Sequence, residues 1–205
     1  MKVLIVQYLP GGESSNTKKL LDAALAVLKS GKADIETLDL VKDLPDFFTP
    51  ERIGVYYERN YGGQQVSVQK MGYMAKMDRM AAQLKAADML ILAAPMYNFS
   101  QPAAVKAWFD SVMQKGVTWD LNPGVGYVGL LKGKKALFLS TSGGQYEAGH
   151  PYEHCISLTK VHLGFMGFET ETVTAGGINQ FPDKAAGAIA QAQAKIRDVL
   201  GKWIN

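Results

Sequence analysis

The fold class this sequence predicts is an α/β three-layer sandwich with a five-stranded parallel sheet. Short continuous apolar runs alternate with longer stretches of helical period along the whole chain. The runs at residues 3–6 and 89–94 carry no polar interruption, as expected of parallel strands covered on both faces. A length of 205 residues suits one such unit, so residues 1–205 are read as a single domain without linker or internal repeat.

Taken in order, Val3, Leu4, Ile5 and Val6 form the first strand. The polar turn at residues 10–16 follows, and a helix starts with Ser14 or Ser15 as N-cap. Leu20, Leu21, Ala24, Leu25 and Leu28 fall at helical spacing, and Gly31 ends that helix. Residues 35–40 alternate apolar and polar and read as a strand towards the sheet edge. Residues 45–72 are irregular, with Pro45, Phe47, Phe48, Pro50 and a tyrosine-rich patch, and read as a short helix plus a mobile excursion. Residues 72–85 predict a helix whose Met74, Met77 and Met80 pack into the core.

Residues 89–94 form the third strand, stopped by Pro95. Ser100 is expected to cap the next helix, with Pro102 in its first turn. Its stripe Val105, Trp108, Phe109, Val112 and Met113 is the clearest in the chain. Residues 136–139 form the fourth strand, 152–166 a helix, 170–174 the fifth strand, and 183–203 a closing helix.

The net charge of +3 is spread along the chain, with no basic cluster to suggest a nucleic-acid surface. Cys155 is the only cysteine, which excludes an intramolecular disulfide and a thiolate-rich zinc site and fits a reducing cytoplasm. The three histidines show no metal-ligand spacing, and no metal is expected. No stretch reaches the roughly 18 apolar residues of a spanning helix, so no membrane partner is expected either.

In an open parallel sheet, ligands bind beyond the carboxyl ends of the strands. The loops after the first, third and fourth strands should therefore converge. The first carries Ser14, Ser15 and Asn16 at a helix start, where free N–H groups and the helix dipole favour an anion. It has neither a Walker lysine nor a G-x-G-x-x-G pattern, and fits two readings: plain helix capping or a site for a phosphate monoester. The second, Pro95, Met96, Tyr97, Asn98 and Phe99, suits a flat apolar ligand or ordinary core packing. The third, Thr141, Ser142, Gly143 and Gly144 followed by Gln145 and Tyr146, permits close backbone approach to a planar ring, or is a flexible turn.

The run Ala93-Ala94-Pro95-Met96-Tyr97-Asn98-Phe99, with Trp108-Phe109-Asp110, Gly116-Val117-Thr118-Trp119, Gly133-Lys134-Lys135-Ala136 and Leu163-Gly164-Phe165-Met166-Gly167, resembles the FMN-dependent NADH-azoreductases. These are relatives of the NAD(P)H:quinone oxidoreductases in the flavodoxin-like superfamily, and the resemblance covers nearly the whole chain. It implies a flavodoxin-like fold, tightly bound FMN, NADH or NADPH as donor, and ping-pong two-electron reduction of quinones or azo compounds. It also implies a homodimer with its active sites at the subunit interface. Ser14, Ser15 and Asn16 would meet the phosphate, Pro95 to Phe99 the isoalloxazine edge, and Thr141 to Gly144 its pyrimidine end.

In the same resemblance, Trp119 would line the partner subunit's acceptor pocket. Tyr146 would donate a hydrogen bond to the reduced ring, with His150 as its candidate companion or as a plain loop residue. The chain departs from the family pattern at Glu13 and Tyr8, near usual phosphate-side serines, and at Ser142, where better-known members carry arginine. An electron carrier of flavodoxin type, or a flavin-bearing regulator, is the alternative reading.

Overall fold

The computed structural model describes residues 1–63, 65–147 and 149–204. Its centre is a five-stranded parallel sheet of β1 (Lys2–Gln7), β2 (Asp34–Asp39), β3 (Met89–Ala93), β6 (Lys135–Thr141) and β7 (Glu169–Ala175), in the order β2-β1-β3-β6-β7. A separate antiparallel pair, β4 (Trp119–Asn122) and β5 (Gly126–Gly129), completes the strands. The helices are α1 (Asn16–Ser30), α2 (Pro50–Asn60), α3 (Val68–Met71), α4 (Ala75–Ala86), α5 (Ala103–Val112), α6 (Cys155–Met166) and α7 (Ala185–Ile204).

The period of two along each strand divides the core between two faces. Leu4, Val6, Leu90, Leu92, Ala136 and Phe138 point to one face and pack with α4, α5 and α6, where Trp108 and Phe109 are fully buried. Val3, Ile5, Met89, Ile91, Leu137 and Leu139 point to the other and pack with α1 and α7. Every residue of β3 is buried, which explains its uninterrupted apolar run. β2 and β7 are the edges, and β2 does not alternate as expected: its Ile35 and Leu38 pack on opposite faces of the sheet, and of its residues Leu38 alone is buried.

Three further expectations need correction. Ser100 does not cap α5: it closes a four-residue turn, exchanging both backbone hydrogen bonds with Tyr97 at 3.0 Å. Pro102 stands at the cap, its carbonyl accepting from the N–H groups of Val105 and Lys106. The β4–β5 hairpin went unread because its strands are short and partly exposed, with Gly124 and Gly126 between apolar residues. Residues 45–72 hold two helices, not one. α2 is capped by the Thr49 hydroxyl and led by Pro50. Its last turn is pinned by the Arg59 guanidinium, which donates to both oxygens of Asp78 (2.8 and 3.0 Å) and to Gln114 Oε1 (2.9 Å). Among the described residues, no helix is long and apolar enough to cross a membrane.

Candidate functional site

The sheet order reverses between β1 and β3, and the crevice beyond their carboxyl ends is where a ligand has room. Three loops meet there, as expected from the sequence. Thr17, buried at the start of α1, shares a 2.7 Å hydrogen bond with the buried Thr141 hydroxyl at the end of β6. Met96 donates its N–H to the Thr141 carbonyl at 2.9 Å. Tyr8, directly after β1, stands edge-on to Tyr97 with ring centres 6.5 Å apart.

In the first loop, a 3-10 turn at Gly12–Ser14 hands the chain to Ser15, whose Oγ accepts from Lys18 N at 3.4 Å as the N-cap of α1. Ser14 is exposed and Ser15 and Asn16 are half-buried, so the positive end of α1 opens outward. Lys18 is tied to Asp22 (2.8 Å) and Glu13 (3.3 Å), and the Asp22 hydrogen bond, aided by Glu13, holds its ammonium above the usual range. The donors left for an anion are therefore backbone N–H groups and hydroxyls.

In the second loop, Asn98 (φ 46°) and Phe99 (φ 70°) are both left-handed, a conformation that costs a non-glycine residue and concentrates at functional sites. Both residues lie inside the turn that the Tyr97–Ser100 hydrogen bonds close, so their N–H groups are not used by it. Neither donates to a protein acceptor among the described residues.

In the third loop, Gly143 and Gly144 also keep N–H groups without protein acceptors among the described residues. Their carbonyls are occupied instead. Gly143 O accepts from Asn179 and Gln180, and Gly144 O from Gly177, so the loop after β7 braces this one from below. The Tyr146 ring lies over Gly144: a Cβ there would come within 2.7 Å of its hydroxyl. Tyr146 meets Phe99 edge-on at 6.2 Å and His150 at 5.3 Å. His150 Nδ1 accepts from Tyr152 N at 3.1 Å.

Trp119 does not join these loops within its own chain. It begins β4, is 8% exposed, and packs its indole against Tyr127 and Phe165 while Nε1 donates to the Met113 carbonyl at 3.1 Å. Its hairpin is seated at the amino-terminal edge of the sheet. Leu131 N donates to Met166 O, and a Cβ on Gly129 would lie 2.4 Å from the Met166 and Gly167 backbone. The length of α5, about 15 Å at 1.5 Å per residue, separates that edge from the three loops.

Sequence reasoning passed over Thr17 as one polar residue among several, and passed over the loop after β7 altogether. The only signal for the latter was the Gly176-Gly177 pair.

An open parallel sheet whose switch point carries aromatic side chains and, among the described residues, backbone donors without protein acceptors defines a class of proteins suited to a flat ligand with an anionic tail. A family described as flavodoxin-like fold matches residues 1–200, and the chain belongs to it. Within it, the chain falls where the Pro95–Phe99 run pointed, among quinone reductases and azoreductases. It is 35% identical over 196 residues to the FMN-dependent NADH:quinone oxidoreductase of Shewanella frigidimarina, covering 95% of this chain and 96% of that one. It is 35% identical over 202 residues to the enzyme of the same name from Azospirillum brasilense, covering 96% of each. The crystal structure of an azoreductase from Bacillus anthracis superposes with a TM-score of 0.90 at 28% identity, covering 98% of this chain and 99% of that one.

Proposed function

We propose that this protein is an FMN-dependent NAD(P)H oxidoreductase that reduces quinones and azo compounds. The observation that carries the reading is a set of four backbone N–H groups, on Asn98, Phe99, Gly143 and Gly144, without protein acceptors among the described residues, on loops tied to each other and to the start of α1. A flavin needs this combination: N–H donors along the heteroatom edge of a flat ring, and donors at some distance for a phosphate. The cradle fits the group, since neither glycine carries a side chain: a Cβ on Gly144 would meet the Tyr146 ring at 2.7 Å, and one on Gly143 the Asn179 side chain at 3.0 Å.

In this reading Ser14, Ser15 and Asn16 bind the phosphate. Pro95, Met96, Tyr97, Asn98 and Phe99 hold the ring edge, and Thr141, Ser142, Gly143 and Gly144 the pyrimidine end. Tyr146 supplies a hydroxyl donor beside it, with His150 packed behind. Bound FMN would supply the two-electron redox chemistry between a reduced nicotinamide and the acceptor. The chain's own residues bind and orient, shield the ring with aromatic surface, and hold a proton at Tyr146 Oη.

A homodimer belongs to the same reading. Trp119 sits at the sheet edge opposite its own chain's loops, so it can line an acceptor pocket only in a partner subunit. Tyr127 (66% exposed) and Val161 (63% exposed) lie bare on the hairpin and α6, suiting an interface with a second copy. A cytoplasmic home also goes with it, since Cys155 is the only cysteine and no disulfide can form within the chain.

The test is purification without added flavin, followed by an absorption spectrum and NADH and NADPH assays with a benzoquinone and an azo dye. A yellow protein that oxidises nicotinamide only when an acceptor is present is expected. A colourless preparation that takes up no FMN in titration ends the reading. Sedimentation at two copies, with Trp119→Ala changing acceptor KM but not FMN uptake, is the expected result for the dimer; a monomer sinks it.

A further inference from the structure

The chain leaves β6 through the glycine pair, carries Tyr146, His150 and Tyr152 past the site, and must re-enter the fold at Cys155, the first residue of α6. One side chain fastens that return. Glu153 is 9% exposed, and its two carboxylate oxygens accept from the backbone N–H groups of Ile156 (2.5 Å) and Ser157 (3.0 Å). Its carbonyl accepts from the Ser157 hydroxyl at 2.8 Å. His154, which occupies the N-cap of α6, makes no side-chain cap of its own. A carboxylate on the positive end of a helix, with two charge-assisted bonds, outweighs the cost of removing it from water.

The position of that cap follows from what its backbone holds. Glu153 N donates to the His150 carbonyl at 2.9 Å, and His154 N donates to the Phe99 carbonyl at 3.0 Å. Phe99 is one of the two left-handed residues of the second loop. Four rings close over that turn: Phe99 against Tyr146 and against Tyr152 (5.2 Å), His150 against Tyr146 and against Tyr152 (5.5 Å). The carboxylate therefore seats the return limb on α6, and the same limb joins the third loop to the strained second one.

We propose that Glu153 is a positioning residue: by capping α6 it latches the Tyr146–His150 wall onto the Phe99 turn and so sets the shape of the face where nicotinamide and acceptor enter. It acts through these rings and touches no reactant. The phosphate side is tied separately, by Thr17 to Thr141, and lies outside its reach. The inference rests on the oxidoreductase reading for its kinetic consequence, but the latch itself does not.

The test uses the full chain, with and without added FMN, and the substitutions E153Q and E153A. E153Q keeps one acceptor oxygen and loses the charge, so it is the variant that folds most surely. Amide exchange at residues 149–154 is expected to quicken about tenfold in E153Q and more in E153A, the signature of local opening. In FMN-loaded protein, KM for nicotinamide or a benzoquinone is expected to rise roughly threefold to tenfold in E153Q, with kcat and the FMN Kd changed by less than about twofold. Unchanged exchange in E153Q overturns the latch. Quickened exchange with unchanged KM overturns its role in shaping the entry face. A loss of kcat and of FMN affinity as large as the rise in KM also overturns it, because the residue would then be a general support. If wild-type protein takes up no FMN, the oxidoreductase reading fails, while the exchange measurement on the same sample still decides the latch.

Discussion

Thr17 and Thr141, 124 positions apart in sequence, share one buried hydrogen bond of 2.7 Å and so tie the start of α1 to the end of β6. Each hydroxyl is fully or nearly fully removed from water, at 0% and 7% exposure. Removing one partner strands the other, which costs about 1–3 kcal/mol, whereas removing both as isosteres can be nearly neutral. Thr17→Val and Thr141→Val are each expected to lower stability by about that amount, and the double variant by less than the sum. Denaturant titration of the four proteins checks this; additive losses would show that the hydroxyls do not depend on each other.

Gly144 is expected to tolerate no side chain. A Cβ would lie 2.7 Å from the Tyr146 hydroxyl and 2.8 Å from the ring carbon bearing it, so Gly144→Ala must displace Tyr146. Flavin affinity and turnover should both fall in Gly144→Ala. Tyr146→Phe keeps the ring in place and should spare FMN binding while lowering turnover. Equal turnover in Tyr146→Phe and wild type would remove the hydroxyl from the mechanism.

Phe99 has the opposite balance. Its left-handed backbone costs on the order of 1–3 kcal/mol. Phe99→Gly relieves that strain but removes the ring contacts with Tyr146 and Tyr152. Stability is expected to change by less than about 1 kcal/mol, the backbone gain offsetting the lost aromatic packing, while nicotinamide oxidation drops. A large loss of stability would mean that the ring's packing outweighs its backbone strain.

His162 gives the protein an acid-sensitive element. Burial, with Lys106 adding to it and Asp110 opposing it, holds the imidazole at about 4, and its Nδ1 has no hydrogen-bond partner among the described residues. The ring packs on Phe109 at 4.4 Å. Between an unfolded value near 6.5 and the native value near 4, the unfolded chain binds a proton that the native chain refuses. Stability therefore falls as pH drops through that window, by up to about 3 kcal/mol, and this contribution is unchanged below it. His162→Leu is expected to flatten the stability profile between pH 6.5 and 4; a profile unchanged from wild type would refute the assignment.

Much of the architecture could be read before any coordinates. Strands whose two faces are both buried must be apolar throughout, so Met89 to Ala93 declared themselves. Helices with one buried stripe show it at their own period, as Val105, Trp108, Phe109 and Val112 do. The Pro95–Phe99 run stood out because aromatics directly after a buried strand have to be covered by something, a flat ligand or the core itself. The β4–β5 hairpin was invisible, since its strands are short and partly exposed and the close seat of Gly129 on the Met166 backbone leaves no periodic trace.

The sequence by itself determined the three-layer fold class, which strand-end loops converge and the residue types they carry. Those follow from local periodicity and from which groups can lie bare at a strand end. Only the tertiary structure decided that Ser100 closes a turn, that Glu153 caps α6 from outside it, and that Trp119 faces away from its own site. The reason is physical: a hydrogen bond between distant segments depends on where the packed layers bring them, and nothing in the local order of residues encodes that distance.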